Sequence, residues 1–294
     1  MRRLLRILFF SAAANAALWS HADEGRTLRD IAYAPENGRF GLGDLYLPQR
    51  VTGETPVVLS IHGGGWSGGD RYSWSGVAEF FRRELGCAVF NIEYRLASAA
   101  NRWPACGDDC VKAAKWLFSD AFRGHAGFSP EKIWICGGSA GGHLTLWTLV
   151  NMPPEKVALA VSISSIGEPE PDFRVHAGRY RALFAKCLDS GVLSEMNPAR
   201  MIKSGMAPVL CTHATQDRVV PIESHRMFAD AYRAAGNVCE FFEYPASVRD
   251  GLTGHCIWIP GSEPHRLIPE IEGKIKEFTA KLQRRQNSEG DCPH

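Results

Sequence analysis

Apolar residues cluster in short runs at Val57–Ile61, Cys87–Ile92, Lys132–Cys136, Val157–Ile163, Pro208–Thr212 and Val238–Tyr244. Runs of this length lacking strict alternation predict strands buried on both faces, as in a mostly parallel sheet. Before them, Asp44–Leu47 alternates polar and apolar, which predicts an antiparallel edge hairpin.

Segments of helical period separate the runs. Asp109–Phe118 puts Val111, Ala114, Leu117 and Phe118 on one face, Ala140–Val150 forms a second helix, and Ile222–Ala235 ends before Gly236, a good helix stop. In His265–Arg285 the residues Leu267, Ile268, Ile271, Ile275, Phe278 and Leu282 recur at helical spacing, so a closing helix is expected there, followed by a polar tail. Alternation of strand and helix predicts an α/β domain with helices on both faces of the sheet. The stretch 167–198 breaks that alternation with Pro, Gly, Arg and charge, and reads as an insertion over the active-site end.

Composition narrows the class. At 294 residues, with 45% apolar and 22% charged positions, the chain is globular, with one domain over 23–294. Its 33 basic against 32 acidic residues, without a basic stripe, argue against a nucleic-acid partner. Residues 1–22 begin with Arg2, Arg3 and Arg6, continue apolar from Ile7 to Trp19, and close on Ser20 and Ala22, the pattern of a secretory signal peptide. A membrane anchor is the competing reading, although the run is short for a span and carries Ser11 and Asn15. The expectation is therefore a secreted or periplasmic protein with no stable membrane span after signal cleavage; the export route stays open.

An oxidising compartment permits disulfides among the nine cysteines, of which at least one must stay unpaired in a monomer. Cys106 and Cys110 are close enough in sequence to pair across a turn, whereas Cys136 and Cys211 sit in apolar runs and read as core. No C-x-x-C or His/Cys spacing points to zinc, so no metal site is expected.

The strongest chemical motif is Gly137-Gly138-Ser139-Ala140-Gly141, a G-x-S-x-G set between an apolar run and a helix. A strand that turns sharply into a helix forces the serine into a strained conformation, and small neighbours make that turn possible. The helix N-terminus and the Ala140 N–H then favour negative charge developing at the reacting oxygen. Upstream, His62-Gly63-Gly64-Gly65-Trp66 follows another strand, and Gly63 and Gly64 are natural backbone donors to an oxyanion. A phosphate cradle fails because no Lys-Ser/Thr follows. His62 reads as structural, while Trp66 and Trp258 are expected to wall the substrate pocket.

A serine hydroxyl needs a base, and the base an orienting acid. Where a serine sits on such a turn, acid and histidine follow it in that order, each after a strand. Asp217 follows the strand at 208–212 and His255 the strand at 238–244. Among rivals, His143 reads as a packed polar residue, His213 as part of the strand-end turn, His225 as lying on a helix face and His176 as part of the insertion; Asp250 and Asp189 are the weaker acids.

With these motifs in order, joined by Glu93-Tyr94-Arg95-Leu96, Trp103-Pro104-Ala105 and Asp109, the chain resembles the α/β-hydrolase superfamily, and within it the hormone-sensitive-lipase-like esterases and their bacterial acetyl- and feruloyl-esterase relatives. The resemblance implies a Ser139, Asp217, His255 triad, oxyanion N–H groups from Gly63, Gly64 and Ala140, scaffold roles for Tyr94, Arg95 and Asp109, and no cofactor. It implies a serine carboxylesterase acting on short-chain, acetyl or polysaccharide-linked esters, with an amidase or peptidase as the alternative. Two departures stand out: Thr212-His-Ala-Thr replaces the commoner His-Gly turn, and Val248–Gly254 lengthens the loop before His255.

Overall fold

The computed structural model describes residues 25–183, 190–245 and 253–290, so the expected signal peptide lies outside the described residues. Eight strands form one sheet in the order β1-β2-β4-β3-β5-β6-β7-β8. They are β1 (Arg26–Ala32), β2 (Leu42–Leu47), β3 (Val57–Ile61), β4 (Ala88–Ile92), β5 (Ile133–Gly138), β6 (Val157–Ile163), β7 (Val209–Ala214) and β8 (Cys239–Tyr244). The pairs from β4 through β8 are parallel, while β1–β2 and β2–β4 are antiparallel.

The helices are α1 (Ser75–Leu85), α2 (Ala105–Trp116), α3 (Asp120–Ala126), α4 (Ala140–Asn151), α5 (Pro169–Leu183), α6 (Ser190–Glu195), α7 (Ile222–Ala234) and α8 (Pro269–Gly290). Strand pleat sorts the core into two layers. Val57, Leu59, Ile61, Ile133 and Ile135 join Ala113 of α2, Leu144 of α4 and Phe228 of α7 on one face. Val58, Trp134 and Cys136 join Phe81 of α1 and Ile271, Ile275 and Phe278 of α8 on the other. Each fully buried large aliphatic or aromatic side chain here contributes about 1.5–3 kcal/mol. That burial fixes the strand ends from which the functional loops leave.

Several sequence expectations change. The antiparallel segment at Asp44–Leu47 is not the outermost strand: β1 covers it, and β2 is buried almost throughout. The last helix starts only at Pro269, because Trp258 bridges to Leu267 and Ile268 donates its N–H to Ile257 O at 3.2 Å, holding these apolar residues extended. Cys106 and Cys110 do not pair; both lie on α2 as free thiols directed into the core, as are Cys136 and Cys211. The stretch 167–198 carries α5 and α6 between β6 and β7, with 184–189 outside the described residues.

Candidate active site

The chain leaves β5 and enters α4 through Ser139, at φ 57°, ψ −124°. A non-glycine residue is strained there, and its surroundings hold it. Its N–H donates to Ile163 O at 2.8 Å and its carbonyl accepts the His143 N–H at 3.1 Å. A Cβ at Gly137 would run into Gly141 O, and one at Gly141 into the carbonyl oxygens of Ile61 and His62. The turn can close only with glycine at both places. Ser139 is 8% exposed, and Ala140 opens the twelve-residue helix behind it.

Beside the serine runs the glycine loop after β3. A Cβ at Gly63 would stand 2.8 Å from Gly138 O and 3.3 Å from Ser139 Cβ, so the Gly63 backbone passes directly along the elbow. Gly64 O accepts N–H groups from Ser67 at 3.2 Å and Gly68 at 2.9 Å, which folds the loop back on itself. His62 bears the structural role expected of it. Its Nδ1 donates to Gly63 O at 2.7 Å, its ring stacks on Tyr94 at 4.2 Å, and the Tyr94 hydroxyl donates to His62 O at 3.0 Å.

Trp66 is corrected. It is fully buried, its Nε1–H donates to His143 Nδ1 at 3.2 Å, and its ring packs on Tyr180 at 5.5 Å, so it is a core residue and does not wall an open pocket. His143 then donates from Nε2 to Met196 O at 2.8 Å, tying the elbow helix to the segment after α6. Burial pushes its pKa down to about 4 against the pull of that hydrogen bond, so the ring is neutral. Trp103 adds a second tie, Nε1–H to Glu195 O at 3.2 Å.

Asp217 lies in the turn after β7 with a fully buried side chain, and its Oδ2 is 2.6 Å from Nδ1 of His255. Oδ1 accepts the N–H groups of Val219 at 2.8 Å and Val220 at 2.9 Å. Burial works to raise the carboxyl pKa, but hydrogen bonds from His213 and His255 and the neighbouring backbone overcome it and hold the group well below the usual carboxylate range. With Nδ1–H donated to the acid, Nε2 of His255 keeps its lone pair; it is buried and makes no hydrogen bond. No hydrogen bond joins it to the Ser139 hydroxyl.

Residues 248–252 of the loop expected to be lengthened lie outside the described residues, and the histidine that follows them reaches its acid. Gly254 passes so close that a Cβ would meet Gln216 O, and Arg218 N–H donates to Thr253 O at 2.7 Å. Two residues on, Ile257 lies 3.5 Å from where a Gly138 Cβ would stand, which brings the histidine segment against the residue preceding Ser139. Trp258 is half-buried, 6.1 Å edge-on from His255 and stacked 4.4 Å on His265. Of the rival histidines, His176 of α5 reaches the Arg218 carbonyl at 3.2 Å. His213 is the one the sequence reading undervalued: its Nε2 is 3.4 Å from Asp217 Oδ2. Asp189 and Asp250 lie outside the described residues. Among the described residues no group of His, Cys, Asp and Glu could hold a metal ion, and no helix is long and apolar enough to cross a membrane.

A family model described as BD-FAE matches residues 43–167, the part that holds β2 through β6. Among curated proteins, a probable carboxylic ester hydrolase, LipM, of Mycobacterium tuberculosis is 29% identical over 69% of this chain and 51% of its own length. Carboxylesterase NlhH of the same organism is 35% identical over 37% of this chain and 34% of its own. The chain thus spans about half or less of the length of these relatives. Among solved structures, a truncated carbohydrate esterase from gut microbiota gives a TM-score of 0.71 at 18% identity, covering 87% of this chain and 96% of that one. An inhibited esterase B from Lactobacillus rhamnosis gives 0.72 at 19%, covering 91% and 90%. With the strand order above, these likenesses show that the chain has the α/β-hydrolase fold, and its sequence kin are named as ester hydrolases.

Proposed function

We propose that this α/β-hydrolase is a serine carboxylesterase in which Ser139 is the nucleophile, His255 the base and Asp217 the orienting acid. One observation carries the reading: a half-buried imidazole, its Nδ1 fixed by a carboxylate at 2.6 Å, keeps a free, buried Nε2 lone pair, and a strained serine stands at a helix N-terminus in the same fold. In the first half-reaction Nε2 takes the hydroxyl proton as Ser139 Oγ bonds to the ester carbonyl carbon. The N–H groups of Gly63, Gly64 and Ala140 receive the oxyanion. Nε2–H then gives its proton to the departing alkoxide, leaving an acyl-serine and a neutral alcohol. Water, deprotonated by the same nitrogen, returns the acid and the free serine.

The substrate class we favour is short-chain, acetyl or polysaccharide-linked esters, with Trp258 at the pocket beside His255. Support comes from the names of the ester-hydrolysing kin and from a carbohydrate esterase among the structural likenesses. An amidase or peptidase would use the same groups on a C–N bond. We also place the protein outside the cytoplasm, on the signal-like residues 1–22; N-terminal sequencing of the mature protein starting near Asp23 would agree, and an intact Met1 would not.

The decisive assay is a panel of p-nitrophenyl esters with acetylated xylan and feruloylated sugars, run beside a matched anilide. Wild-type protein is expected to cleave the esters far faster than the anilide, and Ser139→Ala to lose about 10⁴-fold or more of kcat. Retained hydrolysis in the purified Ala variant would end this reading.

A further inference from the structure

Asp217 has a second imidazole on it. Nε2 of His213 lies 3.4 Å from the same Oδ2 that serves His255, and 3.0 Å from the Val220 carbonyl oxygen. Facing two oxygens in a fully buried place, that nitrogen must carry its proton; unprotonated, it would set lone pairs against lone pairs. On the other side of the ring, Nδ1 of His213 lies 3.1 Å from Nδ1 of His225, so one proton sits between them.

His225, on α7, is fully buried, donates its Nδ1–H to His213 Nδ1, packs edge-on against Phe241 at 5.3 Å, and leaves Nε2 without a hydrogen bond. Burial and the neighbouring His213 drive its proton affinity far down, so it is neutral. Two buried histidines in contact, one nitrogen unsatisfied, are a costly way to fill space that apolar side chains would fill better. The arrangement makes sense as a device acting on the carboxylate in front of it.

We propose that His213, braced by His225, is a positioning residue for Asp217: its Nε2–H anchors Oδ2, so that the carboxylate stays aimed at Nδ1 of His255 and divides its charge between two donors. This deepens the esterase reading and rests on it for the roles of His255 and Asp217. Without the His213 donor, more of the negative charge falls on His255, its imidazolium is stabilised, and its titration midpoint rises. The other titratable or charged groups around the pair are Glu243 and Tyr244 on β8, Arg226 on α7 in its ion pair with Glu243, His176 on α5, and Arg218. None of these is altered by the substitutions below.

The test is a histidine NMR titration of the full chain, which reads His255 whether or not substrate turns over. His213→Asn keeps an amide near the Nδ1 position and loses the Nε2 donor; His213→Gln places an amide N–H near the Nε2 position. The expected result is a rise of about half to one pH unit in the His255 midpoint for Asn and little change for Gln. In ester assays, kcat should fall about tenfold for Asn with KM within about twofold, and the acidic limb of kcat/KM should move upward with the titration. Should the Asn variant fail to fold, His225→Phe, which leaves Nε2–H in place but unbraced, is expected to give a smaller rise in the same direction. Asn and Gln variants titrating alike, or an unmoved midpoint in His225→Phe, would overturn the proposal. A wild-type chain inert toward every ester would sink the functional reading, while the titration still decides the role of His213.

Discussion

The two sides of the sheet build the site from different material. From β3 to β5 the chemistry is backbone: glycines at 63, 137 and 141 let main chain approach main chain, and Ser139 is placed by a turn no other residue set could close. From β6 to β8 it is side chain: Asp217 and His255 on strand-end loops, His213 on β7 and His225 on α7 hold one another by ring nitrogens and a carboxylate. Backbone devices tolerate no change of shape. Side-chain devices tolerate changes of shape and fail on changes of proton.

Asp217→Asn attacks the side-chain half hardest. The amide keeps the volume but donates where it should accept, so His255 is left with the wrong tautomer, and kcat is expected to fall about 10³–10⁴-fold with KM little changed. Steady-state kinetics on an activated ester would show it, and a loss under about tenfold would mean that another carboxylate orients the histidine. Gly141→Ala attacks the backbone half. Its methyl meets two carbonyl oxygens of β3 and its following loop, which cannot move aside, and we expect about 3–4 kcal/mol of lost stability by chemical denaturation, or no folded protein.

Acid should separate the halves by pH window. His143, held near 4 when folded against about 6.5 when unfolded, leaves the unfolded chain binding a proton that the folded chain refuses. Its contribution is complete above about pH 6.5 and is lost as pH falls toward 4, by about 3 kcal/mol. Asp217, depressed in the folded state, works in a lower window: its contribution is complete above the ordinary carboxylate value near 4 and fades only below it. Denaturation at pH 7 and 4.5 should therefore show a drop in wild type that shrinks in His143→Gln, the remainder belonging to the equally buried His225. An equal drop in both would assign the effect elsewhere.

Legibility followed the same division. The runs at Val57–Ile61 and Val157–Ile163 coincide with β3 and β6 because strands buried on both faces announce themselves as unbroken apolar sequence. The elbow and glycine loop were readable because glycine spacing is itself the structural requirement. β1 is not legible since Arg26–Ala32 is an exposed edge with no apolar run, and α1 begins at Ser75 after Trp74, which offers no side-chain cap to mark it. Leu267 and Ile268 matched a helical period yet pair with Trp258 and Ile257, a tertiary preference that periodicity cannot express. His213 looked like a strand-end residue because its meaning depends on His225, which reaches it only once α7 packs on the sheet. Trp66 misled for a similar reason, its partners lying at 143 and 180.

The dihedrals of Ser139 carry a consequence for the resting protein. Glycine adopts φ 57°, ψ −124° without a Cβ to crowd the backbone, so Ser139→Gly is expected to melt a few degrees higher than wild type, a gain of about 1 kcal/mol. A serine that strains its own scaffold is set in place during folding, before any ligand arrives. In the esterase proposed above, an incoming ester meets a turn that is already made.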